Sequence, residues 1–129
     1  MTLDITKHIT YWLESSRENL EAAALLIQKD KVLEGLFFAH LALEKTLKAH
    51  VVKNTKEIPP RTHNLIRLAE LGNIPLDDDL AASLGKLTDF QLESRYPFDW
   101  PMKPARQFAE ATFTRVLEID QWLRDLLLP

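Results

Sequence analysis

Cysteine is absent from this chain of 129 residues, which excludes disulfide bonds and thiolate metal sites. A chain without cysteine is typical of a reducing compartment. The first residues, MTLDITKH, carry an acid and lack the basic-then-apolar pattern of an export signal. No apolar run approaches the roughly 20 residues that cross a bilayer. The sequence therefore predicts a cytoplasmic protein without membrane-spanning segments.

An excess of basic residues is also missing, since 16 Lys and Arg stand against 19 Asp and Glu, a formal net charge of −3. Proteins that hold duplex nucleic acid by its backbone usually need a clear positive excess. The composition therefore argues against extended binding of duplex DNA, but it leaves room for a small local anion site. The chain length predicts one domain over residues 1–129.

Only three glycines are present, and no alternating apolar stretch is bounded by hairpin turns. Helical spacing recurs instead. It predicts a first helix from about Asp4 to about Lys29 and a second from about Val32 to about Lys53. The residues expected on their buried faces are Ile9, Trp12, Ser16, Leu20, Ala23 and Ile27 in the first helix, and Leu36, Leu43, Leu47 and Val51 in the second.

Two prolines in NTKEIPPRT end the second helix. Thr62 is the expected N-cap of a short third helix that stops at Gly72, and Asp77 is the expected N-cap of a fourth. The last helix should begin near Pro104 and run to about Leu127. The apolar positions expected inside these helices are Leu65, Leu68 and Leu71, then Leu80, Leu84, Leu87 and Phe90, then Phe108, Thr112, Val116, Ile119 and Leu123.

Three long helices and two short ones, joined by brief links, predict an all-α, up-and-down helical bundle. No internal repeat or low-complexity segment is visible, and the links are too short to hold a second domain.

The second helix carries a polar row in FFAHLALEKTLKAH. His40, Glu44 and Lys48 are spaced four residues apart, so they lie in one line beside the apolar stripe. One interpretation is a salt bridge between Glu44 and Lys48 at the border of the core, worth roughly 0.2–0.5 kcal/mol. The other is a row that lines a groove. A zinc site is not predicted, because no second helix supplies the further ligands that zinc needs.

The segment PPRTHNLIRL places Arg61, His63 and Arg67 around a helix N-terminus, where free backbone N–H groups attract anions. The alternative is that Thr62 caps the helix while His63 packs over the proline turn.

The segment ESRYPFDWPMKPAR follows the fourth helix. Arg95 can contact phosphate or carboxylate with two hydrogen bonds, and Tyr96 offers a ring for stacking. Arg106 lies at the start of the last helix. The alternative is that Arg95 pairs with Glu44 or Glu93 while the aromatic residues fill the end of the bundle.

No glycine-rich phosphate loop, nucleophile elbow or cysteine nucleophile is present. The residues therefore predict no catalytic constellation, no metal and no cofactor.

Four stretches together resemble the HEPN domain family, and the resemblance covers nearly the whole chain. In chain order they are LEAAALLIQKDKVLEGLFFAHLALEKTLKAHVV, PPRTHNLIRLAEL, LESRYP and AEATFTRVLEIDQWL. The resemblance implies a compact helical bundle that is usually a homodimer. Many members are encoded beside a minimal nucleotidyltransferase, and the two act as a toxin–antitoxin pair. Similar bundles are fused to nucleotidyltransferases that modify aminoglycosides.

Some family members are metal-independent ribonucleases in which a His follows an Arg after about four to six residues. None of the seven arginines here has a His at that spacing, which argues against an enzyme. The resemblance implies candidate site positions without catalytic roles, namely Glu44, Lys45, Lys48, His63, Arg95 and Tyr96.

The leading hypothesis is a non-catalytic HEPN protein that dimerises and, with a nucleotidyltransferase partner, binds a nucleotide or RNA phosphate near Arg95. One alternative is a ribonuclease toxin whose base is a displaced group such as His63 or Glu44. The other is a helical interaction module that holds no ligand.

Overall fold

The computed structural model describes residues 3–90 and 105–127, and within these ranges the chain forms five helices and no strand. Three helices are long: α1 (Ile5–Gln28), α2 (Val32–Thr55) and α5 (Arg106–Leu127). Two are short: α3 (Leu65–Leu71) and α4 (Asp78–Thr88). The predicted all-α class, with three long and two short helices, is confirmed.

The central helix is α2. It runs antiparallel to α1, so that Lys45 meets Ser15 while Lys48 meets Trp12. It runs parallel to α5, because α3 and α4 return the chain before α5 begins. Glycine allows the close contact at the start of α2: a Cβ on Gly35 would lie 2.5 Å from Cγ1 of Ile27.

The core is apolar and receives side chains from all five helices. Most of the predicted stripe positions are buried. Ile9 and Trp12 near the start of α1, Leu71 at the end of α3 and Thr112 in α5 are only half-buried. The buried predicted positions are Ser16, Leu20, Ala23, Ile27, Leu36, Leu43, Leu47, Val51, Leu65, Leu68, Leu80, Leu84, Leu87, Phe90, Val116, Ile119 and Leu123.

One helix start differs from the sequence prediction. Asn64, not Thr62, is the N-cap of α3: its Oδ1 accepts from the backbone N–H of Arg67 at 3.1 Å, because residues 59–64 stay non-helical. The Thr62 hydroxyl accepts from the N–H of Asn64 instead. The last helix, α5, begins at Arg106, two residues after the Pro104 near which its start was predicted. The prediction that Asp77 caps α4 is confirmed, since its Oδ1 accepts from the N–H of Leu80 at 2.7 Å.

Phe108 was expected in the core but is 50% exposed. It lies in the first turn of α5, where its ring meets the buried ring of Phe90 at a centroid distance of 6.2 Å. The helical period places Phe108 on the side of the core, where the adjacent Ala109 is fully buried, but the larger ring of Phe108 is only half covered.

A buried polar network joins the three long helices. Thr46 Oγ1 on α2 donates to Asp120 Oδ1 on α5 at 2.5 Å, and its oxygen lies 2.6 Å from the hydroxyl of Ser16 on α1. Arg124 Nε donates to the second oxygen of Asp120 at 2.7 Å, while Arg124 NH2 donates to the carbonyl of Leu13 at 2.9 Å. These contacts fix the register of all three helices by polar pairing as well as by apolar packing.

Candidate functional site

The polar row on α2 is buried. Glu44 and Lys48 form the predicted pair, with Lys48 Nζ 3.1 Å from Glu44 Oε2. Their side chains are only 4% and 11% exposed, so this is not a solvated salt bridge on the surface. Removing two charges from water is costly unless each finds strong partners. The other contacts of His40, Glu44 and Lys48 therefore decide whether the buried pair is stabilised.

His63 supplies the second partner of the carboxylate. Its Nδ1 donates to Glu44 Oε1 at 2.9 Å, although it lies 19 residues further along the chain. The neighbouring row member, His40, donates from Nε2 to the main-chain carbonyl of His63 at 3.2 Å. Because a carbonyl and a carboxylate only accept, these partners assign the protons to Nε2 of His40 and Nδ1 of His63. The second helix thus holds both the ring and the backbone of His63.

An aromatic ring completes the arrangement. Lys48 Nζ lies 5.3 Å from the centroid of the Trp12 ring, within the range of a cation–π contact. We refer to Trp12, His40, Glu44, Lys48 and His63 as the Glu44 cluster. Helices α1 and α2 and the segment before α3 all contribute to it.

Burial lowers the pKa of His40 below its ordinary value of 6.5, and the opposing effects of Glu44 and of the hydrogen bond to the His63 carbonyl are smaller. His40 is therefore neutral near pH 7. Its Nδ1 is buried without a hydrogen-bond partner among the residues that the structure describes. A neutral His40 supports the chain at His63 and adds no positive charge to the cluster.

The cluster can bind an anion or exchange a proton only through groups that reach its surface. His63 is such a group, since its side chain is 33% exposed. With Nδ1 bonded to Glu44, a ligand that contacts the other ring nitrogen would do so through Nε2. A carboxylate behind an imidazole fixes the orientation of the ring.

Two other predicted site residues lie elsewhere. Lys45 points to α1, where its Nζ donates to Ser15 Oγ at 2.7 Å, and burial lowers its pKa. Arg106 pairs with Glu110 on its own helix at 2.8 Å and lines a cleft formed with the C-terminal end of α1. Neither residue is hydrogen-bonded to the Glu44 cluster within the described ranges. Arg95 and Tyr96 lie outside the described residues.

The predicted anion site at the start of α3 is built differently from the expectation. The side chain of Asn64 already satisfies one N-terminal amide, and the helix is only seven residues long. Arg61 and Arg67 are exposed, whereas His63 turns back toward α2. The alternative that His63 only packs over the proline turn is incomplete, because its ring makes a charged hydrogen bond.

Sequence reasoning placed Trp12 in the core and missed its contact with Lys48. The antiparallel pairing of α1 and α2 was the signal that could have found it. No group of three or more His, Asp or Glu side chains within residues 3–90 and 105–127 is placed to hold a metal ion. No helix in the same ranges is long and apolar enough to span a membrane.

Comparison with known proteins shows both a family and a fold. Residues 9–126 match the family model described as HEPN domain. The chain is similar to a solved structure, TT1696 from Thermus thermophilus, with a TM-score of 0.74 and 23% sequence identity, over 91% of this chain and 96% of that one. At this identity the likeness shows the fold alone. No curated protein matches the chain.

Proposed function

The chain belongs to the HEPN domain family, and from this premise we propose that it is a non-catalytic binding protein for a nucleotide or RNA phosphate. It would act as a homodimer with a minimal nucleotidyltransferase, in a pair of the toxin–antitoxin type. The observation that carries the proposal is the hydrogen bond of 2.9 Å between Glu44 and His63, which holds a partly exposed imidazole over a buried charged pair.

The order of the cluster suits an anionic ligand. The ammonium group of Lys48 and a ring nitrogen of His63 both contact the carboxylate of Glu44. Because Glu44 already orders both side chains, a phosphate that contacts His63 Nε2 would not have to immobilise them, which lowers the entropic cost of binding. Arg95 would add a guanidinium suited to bidentate phosphate contacts.

Isothermal titration with AMP, ATP and a short RNA tests the phosphate site. We expect His63→Ala and Arg95→Ala each to weaken binding at least tenfold, a loss of about 1.4 kcal/mol. Lys29→Ala is the matched control, because it also removes a positive charge but lies at the exposed C-cap of α1. If both site variants bind every ligand as tightly as wild type, the site is wrong. If wild type binds none, the ligand-free interaction module becomes the better description.

The nucleotidyltransferase partner is tested separately. We expect an adjacent reading frame for a small nucleotidyltransferase whose product elutes with this chain after co-expression. Absence of such a neighbour, or separate elution of the two proteins, would remove this part of the proposal and leave the ligand test untouched.

A second candidate function is RNA cleavage without metal. The Glu44–His63 hydrogen bond favours it, because a carboxylate-oriented imidazole can act as a general base. His63 Nε2 would take the proton of a ribose 2′-hydroxyl, whose oxygen attacks the adjacent phosphorus. The bond from phosphorus to the 5′-oxygen breaks, that oxygen takes a proton from water and leaves as a 5′-hydroxyl, and a 2′,3′-cyclic phosphate remains. Incubation with varied RNAs in EDTA decides the matter: RNA that stays intact excludes this candidate.

A further inference from the structure

The beginning of α1 exposes apolar side chains that the fold leaves uncovered. Tyr11 is 59% exposed, and Ile58, in the segment before α3, is 70% exposed. Both line an open cleft of about 660 Å³ that also includes His8 and Trp12. A single exposed apolar residue needs no explanation, but an aromatic and an aliphatic residue on one surface are typical of a docking site.

The same surface carries two opposite charges on one line of the helix. Lys7 and Glu14 are seven residues apart, so their side chains leave α1 in nearly the same direction, and both are exposed. Neither side chain forms a hydrogen bond or ion pair with another of the described residues. Tyr11 lies between them on one flank, the side on which Ile58 is found. This arrangement is complementary to a copy of itself that runs in the opposite direction.

We propose that α1 packs antiparallel against α1 of a second copy of this chain, about a two-fold axis between Thr10 and Tyr11. Lys7 then faces the partner's Glu14, and symmetry repeats the same pair on the other side of the axis. Tyr11 lies beside the partner's Tyr11, with Ile58 of each copy on the same flank. The inference rests on the homodimer in the proposed function and names the surface that forms it.

The charges favour this register. A two-fold axis at Glu14 would set that carboxylate against its own copy at the centre of the contact, beside two pairs of Lys7 with Glu21, and an axis between Arg17 and Glu18 would place Glu14 against the partner's Glu21 twice. The axis between Thr10 and Tyr11 pairs Lys7 with Glu14 twice and brings no like charges of this line together.

The interface also adjoins the candidate site. Trp12 borders the cleft on one side and holds Lys48 on the other. The two copies of the Glu44 cluster would therefore approach the same dimer surface. One ridge of α1 with Ile58 is smaller than the roughly 800 Å² per partner of a standard interface, so we expect a dimer that dissociates on dilution.

Sedimentation velocity over a range of protein concentrations tests the register by charge reversal. We expect Lys7→Glu and Glu14→Lys each to raise the dimer dissociation constant at least tenfold. The double variant, which exchanges the two charges, should return it to within a few-fold of wild type. Glu21→Lys is the control, since it also reverses an exposed charge on this face but lies beyond the proposed contact. Circular dichroism verifies that each variant is folded.

The possible failures are distinct. A wild-type dimer that both single variants leave unchanged would show that another surface forms it, while the homodimer itself would stand. Loss of the dimer in the single variants without recovery in the double variant would overturn this register. A wild type that stays monomeric at all concentrations would remove the homodimer and the interface together, and titration of that monomer with nucleotide would still test the phosphate site.

Discussion

Asp120 provides a direct test of the polar network at the centre of the bundle. Its two oxygens accept hydrogen bonds from Thr46 and Arg124, and the residue is almost fully buried. Asp120→Ala removes both acceptors at once. Arg124 would keep only the carbonyl of Leu13, and the hydroxyl of Thr46 would lose the partner to which it donates.

The expected cost follows from these losses. Breaking a buried ion pair by removing one partner destabilises a protein by about 3–5 kcal/mol, because the other charge remains uncompensated. An unsatisfied buried hydroxyl can add about 1–3 kcal/mol, although the two effects overlap. We therefore expect Asp120→Ala to lower the free energy of unfolding by about 3–5 kcal/mol, a large part of the ~5–15 kcal/mol of a typical domain.

Urea unfolding at a fixed protein concentration measures this change through the midpoint, provided that the slope stays the same. The matched control is Asp125→Ala, because Asp125 is exposed and, among the described residues, accepts only from Gln121, so we expect a change below about 0.5 kcal/mol. Adding Arg124→Met to Asp120→Ala should recover part of the loss by removing the stranded charge. A loss below about 1 kcal/mol for Asp120→Ala would refute the reasoning.

Two further predictions concern packing and pH. Gly35→Ala should destabilise the protein by about 1–3 kcal/mol, because the new methyl group would meet Ile27. Gly85→Ala would place its methyl group in ordinary van der Waals contact with Ile66, at 4.0 Å, and should be neutral or stabilising. Thermal melts of the two variants check this contrast. Burial lowers the pKa of both His40 and His50, so below about pH 6.5 the unfolded chain binds protons that the folded chain does not. Stability should therefore fall between pH 6.5 and 5.5, by up to ~1.4 kcal/mol per pH unit for each histidine, and a flat urea midpoint over this range would contradict the assignment.

The helices were predictable because their buried stripes keep one period over many turns. The wrong predictions concern the ends of helices, about which the helical period of the apolar residues carries no information. Phe108 has the right phase and the adjacent Ala109 is fully buried, but the period does not tell how much of a large ring at the end of a helix is covered. Thr62 and Asn64 are both good caps, and the choice between them depends on the path of residues 59–64, which a long-range contact between His40 and the backbone of His63 helps to fix.

The candidate site was predicted in part. The row of His40, Glu44 and Lys48 follows from spacing along one helix. The approach of His63 does not, because it depends on how the proline segment folds back over α2. The buried polar network could also have been inferred from the sequence. Asp120 lies four residues after Val116 and three before Leu123, on the buried stripe of α5. A charged residue at such a position needs a buried partner, and Thr46 and Ser16 also fall on apolar stripes.

Residues 46–52 of α2 are buried on every side of the helix. Their amide protons should exchange with solvent only when the whole domain unfolds, while the exposed ends of α1 and α5 exchange by local fraying. Lys48 of the candidate site belongs to this slow segment, and Glu44 lies two residues before its start. A ligand at the Glu44 cluster would therefore contact side chains of α2 that are already ordered before it binds. Its binding should change the amide exchange rates near His63 far more than those along α2.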